Sequence, residues 1–272
     1  REAVARYGVR ARKSLGQNFL FDLNLTARIA RAAGALELAD IVEIGAGPGG
    51  LTRALLAAGA RRVVAIERDP ACLAALSALG AAYPGRLEVV AADALTIDPA
   101  ALSQPPRKIV ANLPYNIATA LLLRWLDRIG EFESLTLMFQ REVALRLTAL
   151  PRSKAYGRLS VMVQWLAEPR ILFDVPARAF VPPPKVTSSV VVIRPRPAPL
   201  APASKPALER VAAAAFGQRR KMLRSSLATL GLPPMELLER AGVASTARAE
   251  ELSVEEFCAL ARAAQEGWPD AH

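Results

Sequence analysis

The sequence predicts a doubly wound α/β fold: a mostly parallel, Rossmann-like sheet with helices on both faces, followed by a small C-terminal all-helical domain. Three observations carry this. Between residues 22 and 139, short apolar runs alternate with helix-length segments, the pattern of successive βαβ units. A glycine-rich loop, Gly45-Ala46-Gly47-Pro48-Gly49-Gly50, directly follows one of those runs. Beyond a stretch with five prolines between Arg194 and Pro206, apolar spacing becomes helical and strand-like runs cease.

The elements follow in order. Arg1 to about Lys13 reads as a basic arm, and Ser14 to Leu20 as a loop with apolar anchors. Asp22 or Asn24 is placed to cap a helix reaching about Ala33. Ile41–Ile44 is a strand that runs into the glycine loop, and a helix follows over 51–58. Arg62–Ile66 is the next strand, ended by Glu67; a helix over 70–82 and a strand over 87–90 come after it, with Asp93 just beyond. Lys108–Ala111 is a fourth strand, then a helix over 118–129 and a fifth strand over 135–139. Helices over 141–150 and 159–167, and strands over 170–173 and 189–193 as a hairpin-like edge pair, complete a first domain of residues 1–195. Residues 196–206 read as a proline-rich linker, and helices over 207–216, 219–230, 235–241 and 253–265 form a domain of residues 207–272.

The most informative turn is Asn112-Leu113-Pro114-Tyr115. Pro114 stops the fourth strand and pushes Leu113 away from helical geometry, so the four residues form a stiff turn at a strand's carboxyl end. Ligands of open α/β sheets bind at that edge. Asn112 brings one acceptor and two donors, and Tyr115 a flat π face: an acceptor for an amine beside a surface for a ring. The same composition also suits an ordinary strand-ending turn.

The glycine loop has a comparable reading. Gly45, Gly47 and Gly50 let backbone approach a ligand, and Glu67, 22 residues after Gly45, sits where an acid grips ribose hydroxyls. Nicotinamide dinucleotides and S-adenosylmethionine share that ribose. Asp93, placed to bond an adenine amine, and the segment before the first strand favour S-adenosylmethionine.

Charge and composition narrow the partners. The net charge is +10, and Arg141–Ser225 holds 16 Lys or Arg against four acids, leaving the rest slightly acidic. A basic middle of this kind suits a polyanion, most simply nucleic acid. No apolar run approaches a membrane span and Arg1–Arg6 has no signal-peptide core, so a cytoplasmic protein is expected. Cys72 and Cys258 read as reduced thiols, no Cys or His cluster suits a metal, and the single histidine is His272.

Four motifs together, Gln17-Asn18-Phe19-Leu20, Glu43-Ile44-Gly45-Ala46-Gly47-Pro48-Gly49, Asn112-Leu113-Pro114-Tyr115-Asn116 and Phe180-Val181-Pro182-Pro183-Pro184-Lys185-Val186, resemble the ribosomal RNA adenine N6-dimethyltransferases, within that family most of all the bacterial small-subunit type. Gln140–Ala144, Tyr156–Ser160 and Phe216–Arg224 extend the resemblance, which runs from Lys13 to about Leu227. Ala118-Thr119-Ala120 departs from the Ser-Thr-Pro-like run common in relatives, without removing an expected functional group.

The resemblance implies a Rossmann-like methyltransferase sheet and transfer of methyl groups from S-adenosylmethionine to N6 of two adjacent adenines in the 3′-terminal hairpin loop of 16S rRNA. It implies that Asn18, Leu20, Gly45 and Gly47 contact the cofactor, with Glu67 on its ribose and Asp93 on its adenine. Asn112 would hold the target amine and border the cofactor, a backbone carbonyl of Leu113 or Pro114 would be the second acceptor, and Tyr115 and Phe180 would sandwich the base. Arg219, Arg220, Lys221 and Arg224, on one short helical segment, would contact RNA phosphates. The partner is the small subunit or its precursor, with no metal, no membrane, and a monomer expected.

Other classes fit parts of the pattern. A nicotinamide-dependent oxidoreductase lacks a convincing proton donor to a carbonyl substrate. A non-catalytic RNA-binding factor would not need the intact Asn112–Tyr115 set. A 23S rRNA dimethyltransferase of antibiotic-resistance type is the main rival on substrate; Leu113 and the arginine-rich Phe216–Arg224 signature favour the small subunit.

Overall fold

The computed structural model describes residues 8–12 and 15–268, so most of the expected basic arm, and His272, lie outside the described residues. Two compact units emerge. One takes the chain up to Ala144 together with Arg170–Pro195; the other takes Leu145–Pro169 and the chain from Arg196 onward.

In chain order the elements are β1 (Phe19–Leu20), α1 (Leu23–Ala32), β2 (Asp40–Ile44), α2 (Gly50–Ala57), β3 (Arg62–Glu67), α3 (Pro70–Ala81), β4 (Leu87–Ala91), β5 (Arg107–Asn112), α4 (Tyr115–Leu126), β6 (Ser134–Gln140), α5 (Arg141–Leu147), α6 (Arg158–Leu166), β7 (Ala167–Val175), β8 (Phe180–Val181) and β9 (Ser188–Pro195). Seven strands form one sheet in the order β4-β3-β2-β5-β6-β9-β7. The pairs from β4 through β6 are parallel, and β9 runs antiparallel to β6. The fold class read from the alternation is the one observed. The central strands β2, β3, β5 and β6 are almost wholly buried, because a sheet covered on both faces needs apolar residues on both.

Local chemistry fixes the ends. Asp22 Oδ1 accepts from the N–H groups of Asn24 and Leu25 and caps α1. Beyond the far end of α1, buried Lys108 donates to the carbonyls of Ala33 (3.0 Å) and Ala35 (2.7 Å) and pairs with Glu133 at 3.2 Å. That satisfies both the orphan carbonyls and the ammonium.

The order of strands decides where a ligand can sit. From β2 the chain moves to β3 and β4 on one side, then returns to β5 on the other. This reversal opens a crevice beyond the carboxyl ends of β2 and β5. The sequence did not reveal that β1 pairs antiparallel with β8, Leu20 opposite Phe180 and Phe19 opposite Val181. This two-stranded ribbon brings two distant motifs together, with Leu20 and Phe180 in the core cluster that also holds Val175 and Val190.

The second unit contains α6, α7 (Lys205–Gly217), α8 (Leu223–Ser226), α9 (Pro234–Arg240) and α10 (Val254–Gly267). Its centre is aromatic: the Tyr156 and Phe216 rings meet edge-on at 6.0 Å, and Phe216 stacks on Phe257 at 5.4 Å. Two sequence expectations need adjusting here. Residues 145–169 were assigned to the first domain, yet they pack with the C-terminal helices. The segment 196–206, read as a linker, is laid along α6. Arg196 N–H donates to Leu166 O, Leu200 N–H to Trp165 O, and Trp165 Nε1 to Ala201 O. Prolines lack donors, so the N–H groups that dock this segment on α6 come from its non-proline residues. Among the described residues no helix is long and apolar enough to cross a membrane, no His/Cys/Asp/Glu cluster could hold a metal, and both cysteines are free and buried.

Candidate active site

A cleft of about 1090 Å³, its open mouth included, lies over the carboxyl edge of the sheet in the first unit. Its wall comes from the Leu15–Leu20 segment, the glycine loop, the ends of β3 and β4, and the Asn112–Ile117 turn.

Asn112 ends β5, Pro114 caps α4, and Tyr115 is that helix's first residue. The sequence reading started this helix three residues later; Pro114 is tolerated as a cap because it donates nothing at a position where the helix needs no N–H. Asn112 Nδ2 donates to the backbone carbonyl of Asn18 at 3.0 Å. A carbonyl only accepts, so this bond fixes which way the amide faces. Oδ1 is left available in the cleft that Asn112 lines. The Tyr115 hydroxyl lies 2.5 Å from Ser188 Oγ, and burial raises its ionisation above the ordinary tyrosine value. The ring borders the cleft with its hydroxyl anchored behind.

Glu67 is 7 % exposed. Its Oε2 accepts from Gly47 N–H at 2.7 Å, and Oε1 from the N–H groups of Arg68 (2.7 Å) and Asp69 (2.9 Å). A carboxylate offers about four acceptor positions, so one remains, on Oε2, for a ligand hydroxyl. Glu67 therefore also holds the glycine loop in shape. Gly47 has φ +56°, and a Cβ there would lie 3.2 Å from the Phe19 ring; at Gly50 a Cβ would come within 2.7 Å of Leu20 O. Both positions need glycine for the N-terminal segment to close against the loop. Asn18 Nδ2 donates to Gly16 O at 3.3 Å, and Gly45 N–H donates to Ile66 O at 2.9 Å.

Asp93 is half-open to solvent. Its Oδ1 accepts from Leu95 N–H at 2.9 Å, and Oδ2 pairs with Arg68 Nη1 at 2.6 Å. The Leu95 N–H above all holds its carboxyl below the usual range; burial opposes it, and the Arg68 guanidinium, by hydrogen bond and by charge, adds to the lowering. Arg68 was not singled out from sequence, nor was Asp69. Asp69 caps α3 through Ala71 N–H, accepts from Gln17 Nε2 at 3.1 Å, and lies 3.6 Å from Arg12 Nε. It latches the N-terminal segment beside Glu67.

The structure thus brings Asn18, Leu20, Gly45, Gly47, Glu67, Asp93, Asn112, Leu113, Pro114 and Tyr115 around one cleft. Phe180 meets a different arrangement from the one expected. Its side chain is 2 % exposed, within the core, and it does not line the cleft. Strand pairing explains this: residues alternate faces, so pairing of β8 with β1 turns Phe180 inward and Val181 outward. The four basic residues also differ from expectation. Residues 218–222 form a turn rather than a helix. Arg219 is bound to Glu250 at 2.7 Å and to Ser153 O at 3.2 Å, whereas Arg220, Lys221 and Arg224 are exposed.

Known proteins share this architecture. The model of the ribosomal RNA adenine dimethylase family matches residues 8–266. Ribosomal RNA small subunit methyltransferase A of Paramagnetospirillum magneticum is 64% identical over 272 residues, covering 100% of this chain and 96% of the relative. The protein of the same name from Rhodospirillum rubrum is 62% identical over 263 residues, covering 97% and 91%. Among solved structures, a dimethyladenosine transferase from Plasmodium falciparum superposes with TM-score 0.78 at 24% identity, over 89% of this chain and 95% of that one. The 23S rRNA methyltransferase ErmE superposes with TM-score 0.68 at 31% identity, over 91% and 100%.

Proposed function

As the chain belongs to the ribosomal RNA adenine dimethylase family, we propose that it transfers methyl groups from S-adenosylmethionine to N6 of two adjacent adenines in the 3′-terminal hairpin loop of 16S rRNA, in the small subunit or its precursor. The observation that carries this reading is the Asn112 amide, locked through Nδ2 to Asn18 O with Oδ1 left to accept from an amine, beside the Tyr115 ring. The small-subunit relatives share about twice the identity of the large-subunit structure, which favours a 16S over a 23S target.

The cleft fits the cofactor on its own chemistry. Glu67 keeps one acceptor position for a ribose hydroxyl, and Asp93 stays ionised as an acceptor for the adenine amine. Gly47 and Gly50 leave no room for a side chain between the glycine loop and Phe19–Leu20. Bound there, S-adenosylmethionine supplies an electrophilic methyl group. The chain's own task is then positioning. Asn112 Oδ1 and a backbone carbonyl of Leu113 or Pro114 accept from the target N6, turning its hydrogens out of the ring plane so that the lone pair is freed. Tyr115 offers a stacking face for a base that has left its helix. Exposed Arg220, Lys221 and Arg224 supply positive charge for RNA phosphates.

The test is to incubate the protein with methyl-labelled S-adenosylmethionine and under-methylated small or large subunits, then map the labelled nucleotides. Label in dimethyladenosine at two adjacent 16S positions is expected. Label confined to 23S rRNA would favour the antibiotic-resistance type instead.

A further inference from the structure

The proposed reaction leaves one buried acid in the cleft without a task. Glu43 lies on β2, in register with Ala65 of β3 and Val110 of β5. It lines the cleft, is 2 % exposed, and its Oε2 has no hydrogen-bond partner. Thr52 of α2 is its polar neighbour and Glu67 of β3 the charged group that acts on it; β5 presents only Val110 at that level. No Lys or Arg pairs with it among the described residues. A carboxylate so enclosed takes up a proton rather than remain charged. Burial pushes its carboxyl up to about 8, Thr52 opposing and the Glu67 charge adding.

Sheet order says what passes above it. Asp93 follows β4, Glu67 ends β3 and Asn112 ends β5, with β2 between the last two. If adenine lies at Asp93 and ribose at Glu67, the rest of the cofactor must cross β2 to reach Asn112. That remainder carries the positive charges, a sulfonium and an α-ammonium. We infer that Glu43 is the counter-charge for this cationic tail, protonated in the empty cleft and releasing its proton when the cation enters. The carboxyl O–H bond breaks, the proton passes to solvent, and the carboxylate left behind faces the incoming charge, so the buried site keeps its net charge. This rests on the S-adenosylmethionine reading above.

Calorimetry of the full chain with S-adenosylmethionine, in phosphate and in Tris across pH 6.5 to 10, counts the protons released. Wild type should release most of a proton from Glu43 at pH 7, falling towards none by pH 10, as follows from an acid pushed up to about 8. Glu43→Gln should lack this contribution, and subtracting its count removes protons exchanged by the cofactor's own amino group. Release with S-adenosylhomocysteine as well assigns the counter-charge to the ammonium; release with S-adenosylmethionine alone assigns it to the sulfonium. Should Glu43→Gln not fold, the infrared carbonyl band of a buried protonated carboxyl in wild type serves, and should vanish on adding cofactor. Equal proton counts in the two proteins, or an unchanged band, would overturn this inference while leaving the cofactor reading intact. Absence of binding heat in both buffers would overturn the cofactor reading itself.

Discussion

The Tyr115 hydroxyl lies 2.5 Å from Ser188 Oγ, 73 residues further along the chain. The bond joins the first turn of α4 to the start of β9 and fixes the ring's tilt beside Asn112. Tyr115→Phe and Ser188→Ala each remove this anchor without removing the ring's stacking face. Each should raise the RNA concentration needed for half-maximal rate several-fold, and the double variant should be no worse than either single one. Tyr115→Ala should cost a further roughly 1–3 kcal/mol of base capture, measurable with an adenine-containing loop oligonucleotide. Additive effects of the two single changes would show that the bond does not position the ring.

Glu67 carries two duties in one carboxylate. Glu67→Ala removes the proposed ribose contact and also the acceptor that holds Gly47 N–H. Cofactor affinity should fall by about 1.5–3 kcal/mol, the scale for charge-assisted bonds. Unchanged affinity in titration calorimetry would remove Glu67 from the cofactor site.

Arg68 should show itself through pH. Asp93 is held below its usual value by Leu95 N–H and by Arg68. A depressed folded-state value means that the ionised form, and the stability it brings, is present above the unfolded value of 3.8 and is lost only as pH falls through the lower folded value. Arg68→Met should move that loss upward. Cofactor binding by the variant should weaken as pH drops towards 4, under conditions where wild type still binds. Identical pH profiles would deny Arg68 this part.

Phe180 should behave as a core residue. With its ring enclosed beside Leu20 and Val190, Phe180→Ala should cost about 3–5 kcal/mol of stability, and Phe180→Leu much less. Chemical denaturation measures both. A fully stable Phe180→Ala protein with weakened RNA capture would instead return the ring to the base site.

Among the basic residues, neutralising Arg220, Lys221 and Arg224 together should weaken RNA binding and flatten its dependence on salt, with cofactor affinity unchanged. Arg219→Ala, which breaks the contacts with Glu250 and Ser153, should lower the melting temperature and leave the salt slope nearly intact. An unaltered slope in the triple variant would assign those three to a solvated surface.

Much of the site was legible because its signals are local. A strand that ends in Asn-Leu-Pro-Tyr, a strand that runs into glycines, and acids at two further strand ends each announce themselves within a few residues. What escaped depends on distant partners. Nothing near Asp69 reveals that Gln17 and Arg12 reach it, and nothing near Tyr115 reveals Ser188. Phe180 was placed against the base by the resemblance of its motif, but the register with β1 decides which of two neighbouring residues turns inward. The 145–169 segment looked like a continuation of the sheet domain; its Tyr156 finds Phe216 of α7 through contacts far apart in sequence.

The central claim is that Asn112 acts on the target amine rather than on RNA affinity, and single-turnover methylation by Asn112→Ala tests it most directly. With RNA and cofactor saturating, products are resolved as mono- and dimethyladenosine by mass spectrometry. An amine already methylated once has only one N–H left to be held, so the loss of an acceptor should tell most on the second transfer. The account predicts a rate at least a hundredfold below wild type, about 2.7 kcal/mol, with monomethyladenosine accumulating. A wild-type rate with a wild-type product ratio would contradict it.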